Sequence, residues 1–173
     1  MIELLKRRRS VRQFLDKAVD NNLIEKLKTA ALLAPSSNDS RPWDFVAVND
    51  KEVMKELSRC VEGENSFLKD APFAIVVSAD PKKSEYWIED LTIAATYIQL
   101  VATKEYLGSC WVHVRGRMYN ETITSEDYVK DLLKLPQTRK VECIIAIGYP
   151  VSARPEYDDS RLKHDRFHLN SYE

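Results

Sequence analysis

The sequence predicts an α+β domain: one mixed central β-sheet flanked by helices, with a long central helix at a dimer interface. Three observations carry this. Two short continuous apolar runs, 73–77 and 141–147, read as strands covered on both faces. A much longer stretch, 84–107, repeats its apolar residues at helical spacing. Strands and helices also lack the strict βαβ alternation of a purely parallel sheet. The chain has 173 residues, 44% of them hydrophobic and 31% charged, so it reads as a single domain, 1–173, with a sizeable core.

In order, residues 1–9 form a short amphipathic turn with Ile2 and Leu5 facing away from the cations. Ile24, Leu27, Ala31 and Ala34 then recur at helical spacing over 20–33; Asp20 or Asn21 is available as N-cap and Pro35 ends the helix. Residues 43–48 alternate like a half-buried strand. Asp50 caps a helix over 51–61 whose stripe is Val53, Leu57 and Cys60, and the Gly63-Glu64-Asn65 segment breaks it. After strand 73–77 comes the central helix, bearing Trp87, Leu91, Ala94, Ala95, Ile98, Val101, Ala102 and Leu107. Its small residues admit a partner helix. Gly108 is expected as the left-handed residue closing it, followed by a strand over 110–114. An amphipathic helix over 125–135 stops at Pro136, and strand 141–147 is closed by Gly148-Tyr149-Pro150. The remaining segment, 151–173, keeps Leu162, Phe167, Leu169 and Tyr172 among many charges, so it either frays or wraps over another surface. With the wide apolar face of the central helix, it argues for a homodimer in which 151–173 is an arm around the partner.

The formal charge of −1 conceals a polarity, because the first fifteen residues are strongly basic. That suits a local anion site better than the broad basic face of a nucleic-acid binder. Cys60, Cys110 and Cys143 are too scattered for a disulfide framework or a zinc site and read as reduced core residues of a cytoplasmic protein. No apolar run reaches the ~20 residues of a membrane span, and Ile2, Leu4 and Leu5 precede the arginines where a secretory leader would place its apolar stretch after them. The expectation is no membrane association.

The most chemically loaded stretch is Arg7-Arg8-Arg9-Ser10-Val11-Arg12-Gln13-Phe14. Guanidinium forks match phosphate oxygens, and a hydroxyl fills the gaps between them. Two readings compete. The run is either an anion site of an enzyme or a solvated basic patch of a non-catalytic module that engages nucleic acid or an acidic partner. A second landmark, Ala34-Pro35-Ser36-Ser37-Asn38-Asp39-Ser40-Arg41-Pro42-Trp43, between a helix and a strand, favours the first.

Together these residues resemble the nitroreductase family of FMN-dependent oxidoreductases along nearly the whole chain. Its phosphate motif stands as Arg8-Arg9-Ser10-Val11-Arg12-Gln13-Phe14, its Pro-Ser loop and Pro-Trp strand as Pro35-Ser36-Ser37 and Pro42-Trp43, and its strand entry as Asp70-Ala71-Pro72. Gly108-Ser109-Cys110-Trp111, Ile147-Gly148-Tyr149-Pro150 and the basic stretch ending in His168 complete the order. The resemblance implies a homodimer with two FMN sites, each built by both chains. Arg8, Arg9, Ser10 and Arg12 would hold the phosphate and ribityl, helped by a tail cation, Lys163 or Arg166. Pro35, Ser36, Ser37 and Asp39 would reach the isoalloxazine from the partner. Gly108 and Ser109 would approach flavin N5 and O4, and Asn65 the pyrimidine edge. Asp39 departs from the asparagine found in many members, and a carboxylate facing the ring would lower the flavin potential, unless Asn38 supplies the amide.

The resemblance further implies hydride transfer from NADH or NADPH to flavin N5 and then, by a ping-pong cycle, to a nitroaromatic, quinone or related small acceptor. Specialised chemistry such as reductive dehalogenation is the alternative within the family. Arg12 is the candidate cation for the N1–C2=O edge, and no protein nucleophile or metal is needed. His113, His164 and His168 read as structural or surface groups without metal-ligand spacing, and Ser109, His113 and Asp127 lack a nucleophile elbow. Arg115 and Arg117 are either solvated or attract the nicotinamide cofactor's phosphates.

Overall fold

The apolar runs around Ile75 and Ile145 become the two interior strands of a four-stranded sheet. The computed structural model describes residues 1–61 and 66–172. In chain order its elements are α1 (Ile2–Arg7), α2 (Asn21–Leu32), β1 (Trp43–Val48), α3 (Lys51–Leu57), β2 (Phe73–Ala79), α4 (Trp87–Lys104), β3 (Gly108–His113), α5 (Ser125–Leu133) and β4 (Lys140–Gly148). The sheet order is β1-β2-β4-β3. Every residue of β2 is buried, as is all of β4 except Lys140, which is why neither sequence alternates.

Successive side chains of these strands feed two cores. Ala74, Val76, Ile144 and Ala146 face α3 and α5 through Met54, Leu57 and Val129. Ile75, Val77, Ile145 and Ile147 face α2 and α4 through Leu27, Leu91 and Ile98. The register runs from Val77↔Cys143 to Ser78↔Val141, so Glu142 is an extra residue in β4, a β-bulge.

The α+β class holds, with one refinement. All pairings between the named strands are antiparallel, and the parallel component is the bridge Ser10↔Ser109 on the free edge of β3. Some element ends also differ from the sequence reading. The Ser84 hydroxyl accepts the Tyr86 N–H and donates to Asp90, making 84–86 a turn before α4. The helix over 51–61 stops at Leu57, beyond which Arg59 and Cys60 bond back three residues in tighter turns. Lys134, at φ 55°, ends α5 before Pro136 is reached.

Gly108 has a different reason from the one expected. Tyr106 takes the left-handed position at φ 59°, and Leu107 N–H closes the turn on Ala102 O at 2.8 Å. A Cβ on Gly108 would lie 2.8 Å from Val11 Cβ, so the glycine lets the N-terminal segment press against β3. The segment after β4 is pinned to the N-terminus by Val151 N–H on Gln13 O at 3.1 Å, Tyr157 N–H on Lys6 O at 3.0 Å and a 2.8 Å Lys6–Asp159 ion pair. Beyond these, Phe167, Leu169 and Tyr172 are 87%, 81% and 81% exposed and Leu162 51%, so the expected anchors stand largely clear of their own chain's core. Among the described residues, no helix is long and apolar enough to cross a membrane.

Candidate functional site

The arginine segment leaves α1 in extended backbone, with Arg8 at φ −64° and ψ 114°, and runs beside β3, where Val11 N–H donates to Ser109 O at 2.9 Å. Extended chain alternates its side chains. Val11 accordingly packs on Gly108, while Arg9 bonds the Pro155 carbonyl and covers the Tyr157 ring at 4.5 Å. Arg8, Ser10 and Arg12 form the other set, and the Cys110 thiol lies within the influence of all three. Burial pushes that thiol up, against the opposing pull of Arg12 and Arg8, so Cys110 is a neutral packed group. Among the described residues, the ion pairs of residues 1–20 are Lys6–Asp159 and Lys51–Asp16, and neither uses Arg8 or Arg12.

Arg12 stands over the Phe67 ring at 5.7 Å and borders a cavity of about 460 Å³ shared with Trp111, His113 and Arg117. Aromatic walls and converging cations suit a flat anionic ligand. A larger cleft of about 800 Å³ also includes Arg12, but Asp16, Lys51, Lys69 and Asp70 line it with both signs of charge. Ser109 Oγ is buried without a hydrogen-bond partner among the described residues, an acceptor and donor left over beside Ser10.

The second half of the expected site is built differently. Pro35 ends the α2 region exposed, and Ser36 and Ser37 are half-buried. Ser37 N–H donates to Asp90 Oδ1 at 2.8 Å, and the Ser84 hydroxyl donates to Asp90 Oδ2 at 2.9 Å. Asp90 is only 2% exposed. Asn38, Asp39 and Arg41 all have left-handed backbone, at φ 52°, 52° and 43°, which non-glycine residues hold only under constraint. The Asp39 carboxylate is largely in water and pairs with Arg41 at 2.7 Å.

One chain does not bring these halves together. The serine loop is tied to Asp90 in the first turn of α4, and Ser109 follows the last turn. At 1.5 Å per residue, Asp90 and Lys104 are about 20 Å apart.

Of the remaining expected residues, Asn65 lies outside the described residues. No hydrogen bond or ion pair among the described residues joins Lys163 or Arg166 to the arginine segment; Arg166 pairs with Asp165 at 3.6 Å. Arg161 comes nearer, over the same Tyr157 ring as Arg9, at 5.5 Å. Among the described residues, no cluster of three or more His, Cys, Asp or Glu side chains is arranged to hold a metal.

Sequence reasoning passed over Asp90 and Glu142. Asp90 had a signal, since it lies on the apolar stripe between Trp87, Leu91 and Ala94. Glu142 was absorbed into the apolar run 141–147. Gly116 was also missed: at φ 69°, with nothing within 4 Å of its would-be Cβ, it leaves open backbone between Arg115 and Arg117.

The Nitroreductase family model matches residues 5–66 and 58–149. An FMN-dependent nitroreductase from Clostridium difficile R20291 is similar at 48% identity, with 99% of each chain covered and a TM-score of 0.97. A protein of Archaeoglobus fulgidus, provisionally named NADH dehydrogenase/NAD(P)H nitroreductase, is 34% identical over 99% of this chain and 98% of its own. An iodotyrosine deiodinase of Thermotoga neapolitana is 27% identical, with 91% of this chain and 92% of its own covered. Whole-chain similarity of this depth, with a family model that spans most of the chain, leaves one conclusion: the chain belongs to the nitroreductase family of oxidoreductases.

Proposed function

We propose that this protein is an FMN-dependent NAD(P)H oxidoreductase that works as a homodimer, reducing small electron-poor acceptors such as nitroaromatics and quinones. The observation that carries the reading is the triplet Arg8, Ser10 and Arg12, alternating along extended chain beside the unpartnered hydroxyl of Ser109. Membership of an oxidoreductase family weighs against the basic-module alternative.

The residues present fit FMN. Two guanidinium groups unpaired with any described carboxylate and two hydroxyls match a phosphate and a polyol, and the cavity beyond Arg12 has aromatic walls. Bound there, FMN would supply the redox chemistry, taking hydride from NADH or NADPH and releasing it to an acceptor in a ping-pong cycle. Arg8, Arg9 and Ser10 are proposed to hold the phosphate and ribityl. Arg12, bordering the cavity, would favour the negative charge that reduction leaves on the N1–C2=O edge. The Pro35, Ser36, Ser37 and Asp39 loop of the second copy would close the ring from the other side, because about 20 Å of helix keeps this chain's own loop away. Asn65 is retained as a candidate for the pyrimidine edge, and Lys163, Arg166 or the nearer Arg161 as the tail cation. The exposed Leu169 and Tyr172 would lie on the partner.

The test is anaerobic reduction of the purified protein by NADH and by NADPH, followed through the flavin absorption, then reoxidation by a panel of nitroaromatics, quinones and an iodotyrosine. The expected result is a yellow dimer that releases FMN on denaturation, is bleached by a nicotinamide and is restored by nitro or quinone oxidants. A colourless protein overturns the reading. Restoration by the iodotyrosine alone would overturn the nitro and quinone assignment in favour of reductive dehalogenation, in line with the iodotyrosine deiodinase name of the Thermotoga neapolitana relative.

A further inference from the structure

The last residue of β3, His113, lines the same cavity as Arg12 and has a buried carboxylate behind it. Glu142 is 3% exposed, yet it is the extra residue of the β4 bulge, so its side chain is released from the strand's alternation. Its backbone carbonyl accepts the N–H groups of Val114 and Arg115 at 3.1 and 3.2 Å, fixing the end of β3. Its carboxylate takes a 2.6 Å charge-assisted bond from Arg115 Nε and lies 3.9 Å from His113 Nδ1. The Trp111 indole N–H points at the same Nδ1 from 3.4 Å, with the two rings stacked at 6.5 Å.

We propose that His113 is the acid–base residue of this cavity, giving from Nε2 the proton that the acceptor needs when it is reduced; this rests on the oxidoreductase reading above. Hydride alone does not complete either reaction. A quinone becomes a hydroquinone by taking one hydride and one proton. A nitroarene becomes a nitroso compound and water by taking the same two. The hydride originates on NADH or NADPH, and the proton is the part a side chain must deliver.

The contacts of Nδ1 set up the ring for this task. In the neutral ring Nδ1 accepts from Trp111, which leaves the hydrogen on Nε2. In the charged ring Nδ1–H faces the Glu142 carboxylate, 3.9 Å away. Loss of the Nε2 proton from that ion leaves the hydrogen on Nδ1 only transiently; exchange with solvent returns the ring to its resting form, with the hydrogen on Nε2 and Nδ1 accepting from Trp111. The charged groups facing the ring among the described residues are Glu142 from β4, Arg115 from the end of β3, Arg12 from the arginine segment and Arg117 from the loop beyond Gly116. Glu142 is the one anion in this set.

The experiment separates the two half-reactions in wild type, His113→Gln and Glu142→Gln, each loaded with FMN and followed by stopped-flow absorption. Reduction by NADH consumes no extra proton and is expected to change by less than about threefold, while quinone reduction slows on the order of 10²-fold in His113→Gln. In wild type the quinone step falls at alkaline pH and carries a solvent deuterium isotope effect; in His113→Gln the pH dependence and the isotope effect are both lost. Independently of turnover, ¹⁵N chemical shifts of the His113 ring in the wild-type protein at alkaline pH are expected to report the Nε2–H form. A quinone step equally fast in His113→Gln, or a ring found in the Nδ1–H form at alkaline pH, overturns the proposal. Failure of NADH to reduce the wild-type protein instead overturns the oxidoreductase reading on which it rests.

Discussion

The two ends of α4 solve the same problem with opposite materials. At its C-terminal end the chain is extended and charged: Arg8, Ser10 and Arg12 run along β3 held by ordinary strand-like bonds to Ser109. At its N-terminal end the chain is tightly coiled, the cation Arg41 is paired with Asp39, and the left-handed residues Asn38, Asp39 and Arg41 follow a Ser37 N–H bonded to the buried Asp90. The first end offers charge and needs little conformational constraint. The second offers backbone geometry and needs a great deal of it. Within one chain about 20 Å of α4 separates the two ends, which is the ground for proposing that a second copy supplies the other half.

The largest effect should come from breaking the charged end. Arg8→Gln with Arg12→Gln removes two charge-assisted phosphate or ring contacts, each worth roughly 1.5–3 kcal/mol, so FMN affinity should fall about 10²- to 10⁴-fold, read by fluorescence titration. Retention of the flavin at wild-type affinity would remove the phosphate assignment. Next in size is Asp90→Ala, which strands the Ser37 N–H and the Ser84 hydroxyl at a cost of about 1–3 kcal/mol. Asp90→Asn keeps an acceptor for Ser37 and should restore most of both stability and FMN affinity, as measured by chemical denaturation and titration.

A control away from both ends sharpens the contrast. At the start of α5, Thr124 Oγ1 caps Asp127 N–H at 3.0 Å, and Asp127 pairs with the buried Lys130 at 2.8 Å. Bonds from Lys130 and then Thr124 hold the Asp127 carboxyl below its ordinary 3.8. A carboxylate so depressed contributes stability that is present above pH 3.8 and is lost as pH falls through the lower folded value. Asp127→Asn should therefore flatten the acid limb of the stability curve, and Thr124→Ala should cost about 1 kcal/mol, both without changing FMN affinity. The smallest effect is expected at Asp39. Its charge is paired with Arg41 and mostly in water, so Asp39→Asn should raise the flavin potential only slightly, as read by spectroelectrochemistry.

Much of this was legible in the chain because local physics dictated it. The buried strands announced themselves as largely apolar runs, and the arginine motif as a density of guanidinium groups around one serine. What was illegible depended on pairings distant in sequence. That Gly108 makes room for Val11, that Tyr106 takes the left-handed turn and that Glu142 bulges out of β4 toward His113 all follow from which strand lies beside which. The arm belongs to the same class: Phe167, Leu169 and Tyr172 stand exposed on a single chain, so what they would meet is not written in it.

The central claim, that each site takes its charged half from one chain and its coiled half from the other, has a direct measurement. Co-expressed and purified as a heterodimer, an Arg8→Gln/Arg12→Gln chain and a chain with Ser36, Ser37, Asn38 and Asp39 all replaced by glycine should bind FMN at a single site with wild-type affinity, although each variant alone as a homodimer binds poorly. A heterodimer that retains no flavin would mean that both halves are needed within one chain, and would contradict the account.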